Sequence, residues 1–160
     1  MRILLAAVGK LKAGPDRDLF DRYWERLDAS GRKIGITSVK SIELPESRAS
    51  NGADRKSDEA DRLLRLCGNA GSVVALDEAG KSLTSQTFAQ FIRRRCDAGV
   101  PELAIVIGGP DGHGASVLKR ADLILNLGTM TLPHGMARIV IAEQLYRATM
   151  ILSGHPYHRA

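Results

Sequence analysis

A chain of 160 residues and 17.3 kDa is long enough for one domain with its own core, and 44% hydrophobic against 26% charged residues is a globular rather than a disordered balance. No apolar run reaches the length of a membrane-spanning helix, and no repeat or low-complexity tract appears. A net charge of +5 favours an anionic partner, nucleic acid first, while aromatics at only 4% argue against a base-stacking single-strand binder.

The opening "RILLAAVG" (2–9) has too short an apolar run for a signal core and reads as a first buried strand. Pro15 starts a helix over 15–31, where Leu19, Tyr23 and Leu27 share one face. "IGITSVKSIEL" (34–44) alternates as a half-buried strand does. The polar stretch 45–56, with Pro and Gly, predicts an exposed, mobile loop, and a helix over 54–68 ends at Gly68. "SVVALDEAG" (72–80) is a strand and turn. A helix over 84–99 follows, with Phe88, Phe91, Ile92 and Cys96 on one side. "ELAIVIGG" (102–109) is a strand, a short helix falls near 115–120, and "DLILNLG" (122–128) is a last strand. The final helix, 134–154, is apolar on nearly every face, so part of its burial is expected from a second subunit. Strands alternating with helices predict a single α/β domain over 1–160 with a mostly parallel sheet flanked by helices. Cys67 and Cys96 show no metal or redox spacing and read as core residues of a cytoplasmic protein.

Three strands in the second half run into glycine-bearing turns: "LDEAG" after residue 76, "IGGPDGHG" after 107 and "LGTMTLPHG" after 126. In an open α/β sheet, ligands bind beyond the carboxyl ends of the strands, so three such turns at one edge would make a pocket lined by backbone. The glycine order matches neither the dinucleotide fingerprint nor the phosphate loop, which argues against NAD and nucleoside triphosphates. His155-x-x-His158, with His134 upstream, invites a metal reading. No Cys or acidic ligand lies at useful spacing, and no metal is expected. Ser116 sits in no nucleophile elbow, and Arg93-Arg94-Arg95 is either an RNA-facing patch or a solvated helix face.

Taken together, "LDEAGKSLTSQTFAQFI", "IGGPDGHG", "LGTMTLPHGMARIVIAEQLYRA" and the terminal "HPYHR" resemble the SPOUT-class methyltransferases that modify N3 of a pseudouridine in large-subunit (23S) ribosomal RNA. The opening "ILLAAVGKLKAG" and "DLFDRYWERL" match the same family, so the resemblance covers nearly the whole chain. It implies a C-terminal trefoil knot, a homodimer and S-adenosylmethionine as cofactor. Carried over by motif, the cofactor contacts fall on Leu76, Gly108, Leu127, Gly128, Thr129, Met130, Thr131 and Leu132, with Gly109 added for close approach. The homodimer would seat the C-terminal tail beside the partner's cofactor. There His155 and Tyr157 would contact the target base, His158 is a candidate base and Arg159 would stabilise the imide anion. Arg138 is either a substrate contact near the pocket or half of a buried structural ion pair. Two rival readings stand beside this one: a knotted methyltransferase acting on tRNA, and a non-catalytic RNA-binding protein of the same fold.

Overall fold

The computed structural model describes residues 1–158. Five strands form one parallel sheet: β1 (Arg2–Val8), β2 (Ser38–Leu44), β3 (Ser72–Ser82), β4 (Glu102–Ile107) and β5 (Leu123–Asn126), in the order β2-β1-β4-β3-β5. Between and after them run five α-helices: α1 (Pro15–Gly31), α2 (Gly52–Leu66), α3 (Ser85–Asp97), α4 (Ala115–Arg120) and α5 (His134–Leu152).

The layering follows from side-chain alternation along the strands. Ile3, Leu5 and Ala7 of β1, with Leu103, Ile105 and Ile107 of β4, point to one face. There they meet Phe20 and Leu27 of α1, Phe88 and Ile92 of α3, and Ile139, Ile141 and Leu145 of α5. Leu4, Ala6, Val8, Ala104 and Val106 point to the other face, against Ala60 and Leu63 of α2 and Val117 of α4. Both parities of β1 are apolar because both faces are covered, as in parallel sheets generally. Connections that run one way along the sheet use the first face and those that return use the second, so all four crossovers share one hand.

Local signals explain the ends of the elements. Pro15 opens α1, the Asn51 side chain accepts the Asp54 amide at 2.9 Å to cap α2, and Thr84 accepts that of Thr87 at 3.1 Å to cap α3. The Asn51 cap corrects the expected loop: only 45–51 lies outside helix, and 52–56 belongs to α2. The predicted strand 34–44 is also shorter, because Arg32–Ile34 form a 3₁₀ turn closed by Gly35 at φ +91°. Cys67 is buried and Cys96 half-buried, both as free thiols, and burial pushes Cys67 up to about 11.

One irregularity matters for the site. β5 pairs with β3 at Leu76↔Leu125 and again at Lys81↔Leu125, so residues 77–80 leave the ladder as an excursion. Gly80 makes the return possible. A Cβ there would lie 2.7 Å from the carbonyl carbon and oxygen of Ile124, so only glycine lets the two backbones touch.

Candidate functional site

The carboxyl ends of β3, β4 and β5 lie side by side, and the three glycine-bearing turns that follow them enclose a cleft of about 490 Å³. Leu76, Gly108, Gly109, Leu127, Gly128, Met130, Thr131 and Leu132 line it. Thr129 is not part of its lining. Met130, at 78% exposed, offers an apolar side chain at the rim.

Each turn is shaped by its own packing. In "GGPDGHG" the Gly112 amide donates to the Gly109 carbonyl at 2.9 Å, and Gly112 takes φ +83°. A Cβ on Gly108 would meet the backbone of Gly112 at 3.0 Å, and one on Gly109 would meet Glu59 Oε2 of α2 at 2.5 Å. The close approach expected at Gly109 is therefore to α2. That helix braces the turn a second time, where Arg55 Nε and Nη2 donate to Asp111 at 2.6 and 3.1 Å. This hydrogen-bonded pair holds the Asp111 carboxyl below the usual carboxylate range. Glu59 Oε1 accepts the Ser47 amide at 2.8 Å and so fastens the 45–51 segment to the same helix. In the third turn, the Asn126 side chain donates to the Glu78 carbonyl at 2.7 Å and accepts the Gly128 amide at 2.7 Å, joining the first turn to the third.

Sequence reasoning passed over several lining groups, Lys56, Asp77, Glu78, Asp111 and His113, and weighed His134 only as a metal ligand. Asp77 and Glu78 directly follow Leu76, the last residue of β3 paired with β4, and that position was the signal available for them. The cleft thus combines apolar walls (Leu76, Ile107, Leu132) with the carboxylates of Asp77, Glu78 and Asp111 and a lysine from α2. That donor set suits a ligand with an apolar aromatic part and positive charge. His113 is 5% exposed, and its Nε2 lies 3.0 Å from the Leu76 carbonyl oxygen.

The remaining candidates lie elsewhere. Arg138 is 3% exposed and is not part of the cleft lining. Its Nη1 donates to Glu43 Oε1 at 2.8 Å, and its Nη2 donates to the carbonyls of Val8 and Gly9 at 2.7 and 2.9 Å. This is the arrangement of the structural ion pair, the second of the two readings of Arg138, with Nη1 held by Glu43 of β2 and Nη2 by the end of β1. Burial lowers its pKa from the usual arginine value, with Glu43 opposing that shift, and the group stays cationic. Glu43 Oε1 also accepts from Arg17 Nη2 at 2.8 Å and from the Leu11 amide at 3.0 Å, so one carboxylate ties together β2, α1 and α5.

The tail packs on its own α5. The Tyr157 ring sits 4.9 Å from that of Tyr146 and 5.1 Å from the Arg147 guanidinium, and its hydroxyl donates to Glu143 Oε1 at 3.3 Å. Burial and the neighbouring Glu143 push its phenol up to about 12, so it is no base at neutral pH. The Tyr157 amide donates to His155 Nδ1 at 3.2 Å. The His158 side chain and all of Arg159 lie outside the described residues. Of the three arginines on α3, Arg93 pairs with Asp97 at 3.0 Å and Arg95 lies 4.7 Å from the Phe91 ring centre, which leaves Arg94 outward. Among the described residues no group of three His, Cys, Asp or Glu could hold a metal, and no helix is long and apolar enough to cross a membrane.

Comparison with known proteins places this arrangement. A family model described as "Predicted SPOUT methyltransferase" matches residues 1–158. The chain is 52% identical to the ribosomal RNA large subunit methyltransferase H of Allorhizobium ampelinum, 50% to that of Rhizobium meliloti and 48% to that of Brucella anthropi, each over the full length of both chains. Among solved structures, a probable methylase family protein from Haemophilus influenzae aligns with a TM-score of 0.54 at 15% identity, over 99% of this chain and 70% of that one. A probable methyltransferase from Bordetella pertussis aligns at 0.52 and 14%, over 92% and 95%. At such identities the two structures speak for a shared fold.

Proposed function

The chain belongs to the SPOUT methyltransferase family, and on that premise we propose that it methylates N3 of a pseudouridine in large-subunit (23S) ribosomal RNA, with S-adenosylmethionine as methyl donor. The observation that carries the reading is the cleft built from three backbone turns at the carboxyl ends of β3, β4 and β5. Its residues fit that donor. The volume suits a nucleoside-sized ligand, the apolar walls suit adenine, and the Asp77 and Glu78 carboxylates suit a cation. When bound, the donor supplies a methyl group on a sulfonium.

The protein's part is placement and electrostatics. Leu76, Gly108, Gly109 and the 127–132 stretch, Thr129 included, would hold the adenosine through main-chain groups. The Asp77 and Glu78 carboxylates in the lining would favour the positive charge before transfer. On the substrate side the N3 proton must leave as the methyl group arrives, and an imide anion is the better nucleophile. Tyr157, held protonated, would act as a hydrogen-bond donor or a stacking surface. His155 would contact the base, His158 would take the proton and Arg159 would stabilise the anion, at the cofactor of a second subunit.

The homodimer, the cytoplasmic location and the trefoil knot belong to the same proposal. The half-exposed flank of α5 supports the first. Side-by-side assays with tRNA, free large subunits and whole ribosomes test the substrate. Methyl transfer to tRNA alone would refute it, and calorimetry without S-adenosylmethionine binding would favour the non-catalytic rival.

A further inference from the structure

His113 is the most deeply buried titratable group touching the cleft, and no step above uses it. It comes from the turn after β4, yet its ring reaches across to β3, where Nε2 lies 3.0 Å from the Leu76 carbonyl. A carbonyl only accepts, so Nε2 carries the proton and donates. Nδ1 then carries no proton; it is buried and makes no hydrogen bond of good geometry among the described residues, although the Val106 carbonyl also faces the ring. Leu76 is also the last residue of β3 to pair with Ile107 of β4 before the 77–80 excursion begins. The contact therefore sits at the point where the chain leaves the ladder and the cleft wall starts.

We propose that His113 is a positioning residue, whose Nε2–H fixes the Leu76 carbonyl and with it the start of the 77–80 excursion, so that the first and second turns present one preformed wall to the donor's adenosine. The proposal rests on the assignment of that cleft to S-adenosylmethionine. Three features of the site support it. The ring is 5% exposed, and the backbone beside it is close against α2, since a Cβ on Gly114 would lie 2.8 Å from the Lys56 carbonyl. Burial holds the imidazole below its usual pKa, against Asp77 and the carbonyls of Leu76 and Val106, which favour the charged form, while Lys56 opposes it. A neutral ring is the state that keeps a single directed donor on Leu76 without adding positive charge beside a cationic ligand. The Leu76 carbonyl keeps a second lone pair, so this contact orients the main chain of Leu76 without removing it from the ligand.

The test uses three proteins, wild type, His113→Leu and His113→Gln, titrated with S-adenosylmethionine and S-adenosylhomocysteine by calorimetry, with thermal unfolding alongside. Leucine fills the space without a donor, while glutamine keeps an Nε2–H group. Removing one such hydrogen bond is worth about 3–10-fold in affinity. The expected result is that His113→Leu binds about 3–10-fold more weakly and that glutamine recovers most of the loss. Equal binding by wild type and leucine overturns the proposal, and so does equal weakness of leucine and glutamine. No binding by the wild type would instead remove the cofactor assignment beneath it. Ring ¹⁵N spectra of the wild type give an independent readout that does not depend on a variant folding. His113 should be neutral with the proton on Nε2, and its resonance should move when S-adenosylmethionine is added. An Nδ1–H tautomer, or a resonance that ignores the ligand, overturns the proposal.

Discussion

Replacing Arg138 by methionine separates architecture from catalysis. The substitution keeps the buried stem and removes the guanidinium, so the carbonyls of Val8 and Gly9 lose their donor, while Glu43 Oε1 keeps Arg17 and the Leu11 amide. Each buried carbonyl left unpaired costs about 1–3 kcal/mol. Against that stands relief from burying a cation whose Nε already lacks a partner among the described residues. The net expectation is a loss of about 2–4 kcal/mol, less than for an ion pair whose surviving partner is stranded. For a chain of this size that lowers Tm by about 4–16 °C. Urea unfolding at fixed protein concentration measures the loss, and calorimetry with S-adenosylmethionine measures the site. The folded variant should bind the donor as the wild type does. A variant with unchanged stability and abolished methyl transfer would refute the structural assignment and return Arg138 to the substrate.

Gly80→Ala should cost more than Gly109→Ala, because the new methyl at 80 meets strand backbone at 2.7 Å while the one at 109 meets a carboxylate that can turn aside. Overpacking of this kind costs about 1–3 kcal/mol, with Gly80 at or above the upper end, and the two unfolding midpoints rank them. Acid should destabilise the fold through His113. As pH falls through about 6.5 the unfolded imidazole takes a proton that the buried ring refuses, so stability drops by up to about 1.4 kcal/mol per pH unit until the native pKa is passed. That contribution should vanish in His113→Leu, and an unchanged slope between pH 6.5 and 5 would contradict it. Tyr157→Phe loses a 3.3 Å hydrogen bond to Glu143, so stability should move by no more than about 1 kcal/mol and donor affinity should hold while transfer slows. Loss of donor affinity would make the tail a wall of the pocket.

The sheet and its layers were legible because hydrophobic parity is local. β1 is apolar at both parities and β2 is not, which tells a central strand from an edge. The three turns were legible because glycine clusters at strand ends have few other uses. The partners that decide individual roles were not, since they lie far apart in sequence. Arg138 and Glu43 are 95 positions apart, and nothing in "HGMAR" says that its arginine closes the end of β1. His113 looked like one more polar residue in a turn, since its acceptor is a main-chain carbonyl 37 positions away. The Asn51 cap was readable in principle, but the surrounding Ser, Asn and Gly favour loop just as strongly.

The most direct measurement is mass spectrometry of 23S ribosomal RNA from a strain lacking the endogenous activity, after incubation of its large subunits or ribosomes with the purified protein and S-adenosylmethionine. The account predicts one added methyl group, located to N3 of a single pseudouridine and absent when the donor is withheld. A large-subunit RNA that gains no methyl group, or gains it on a residue other than a pseudouridine, would contradict it.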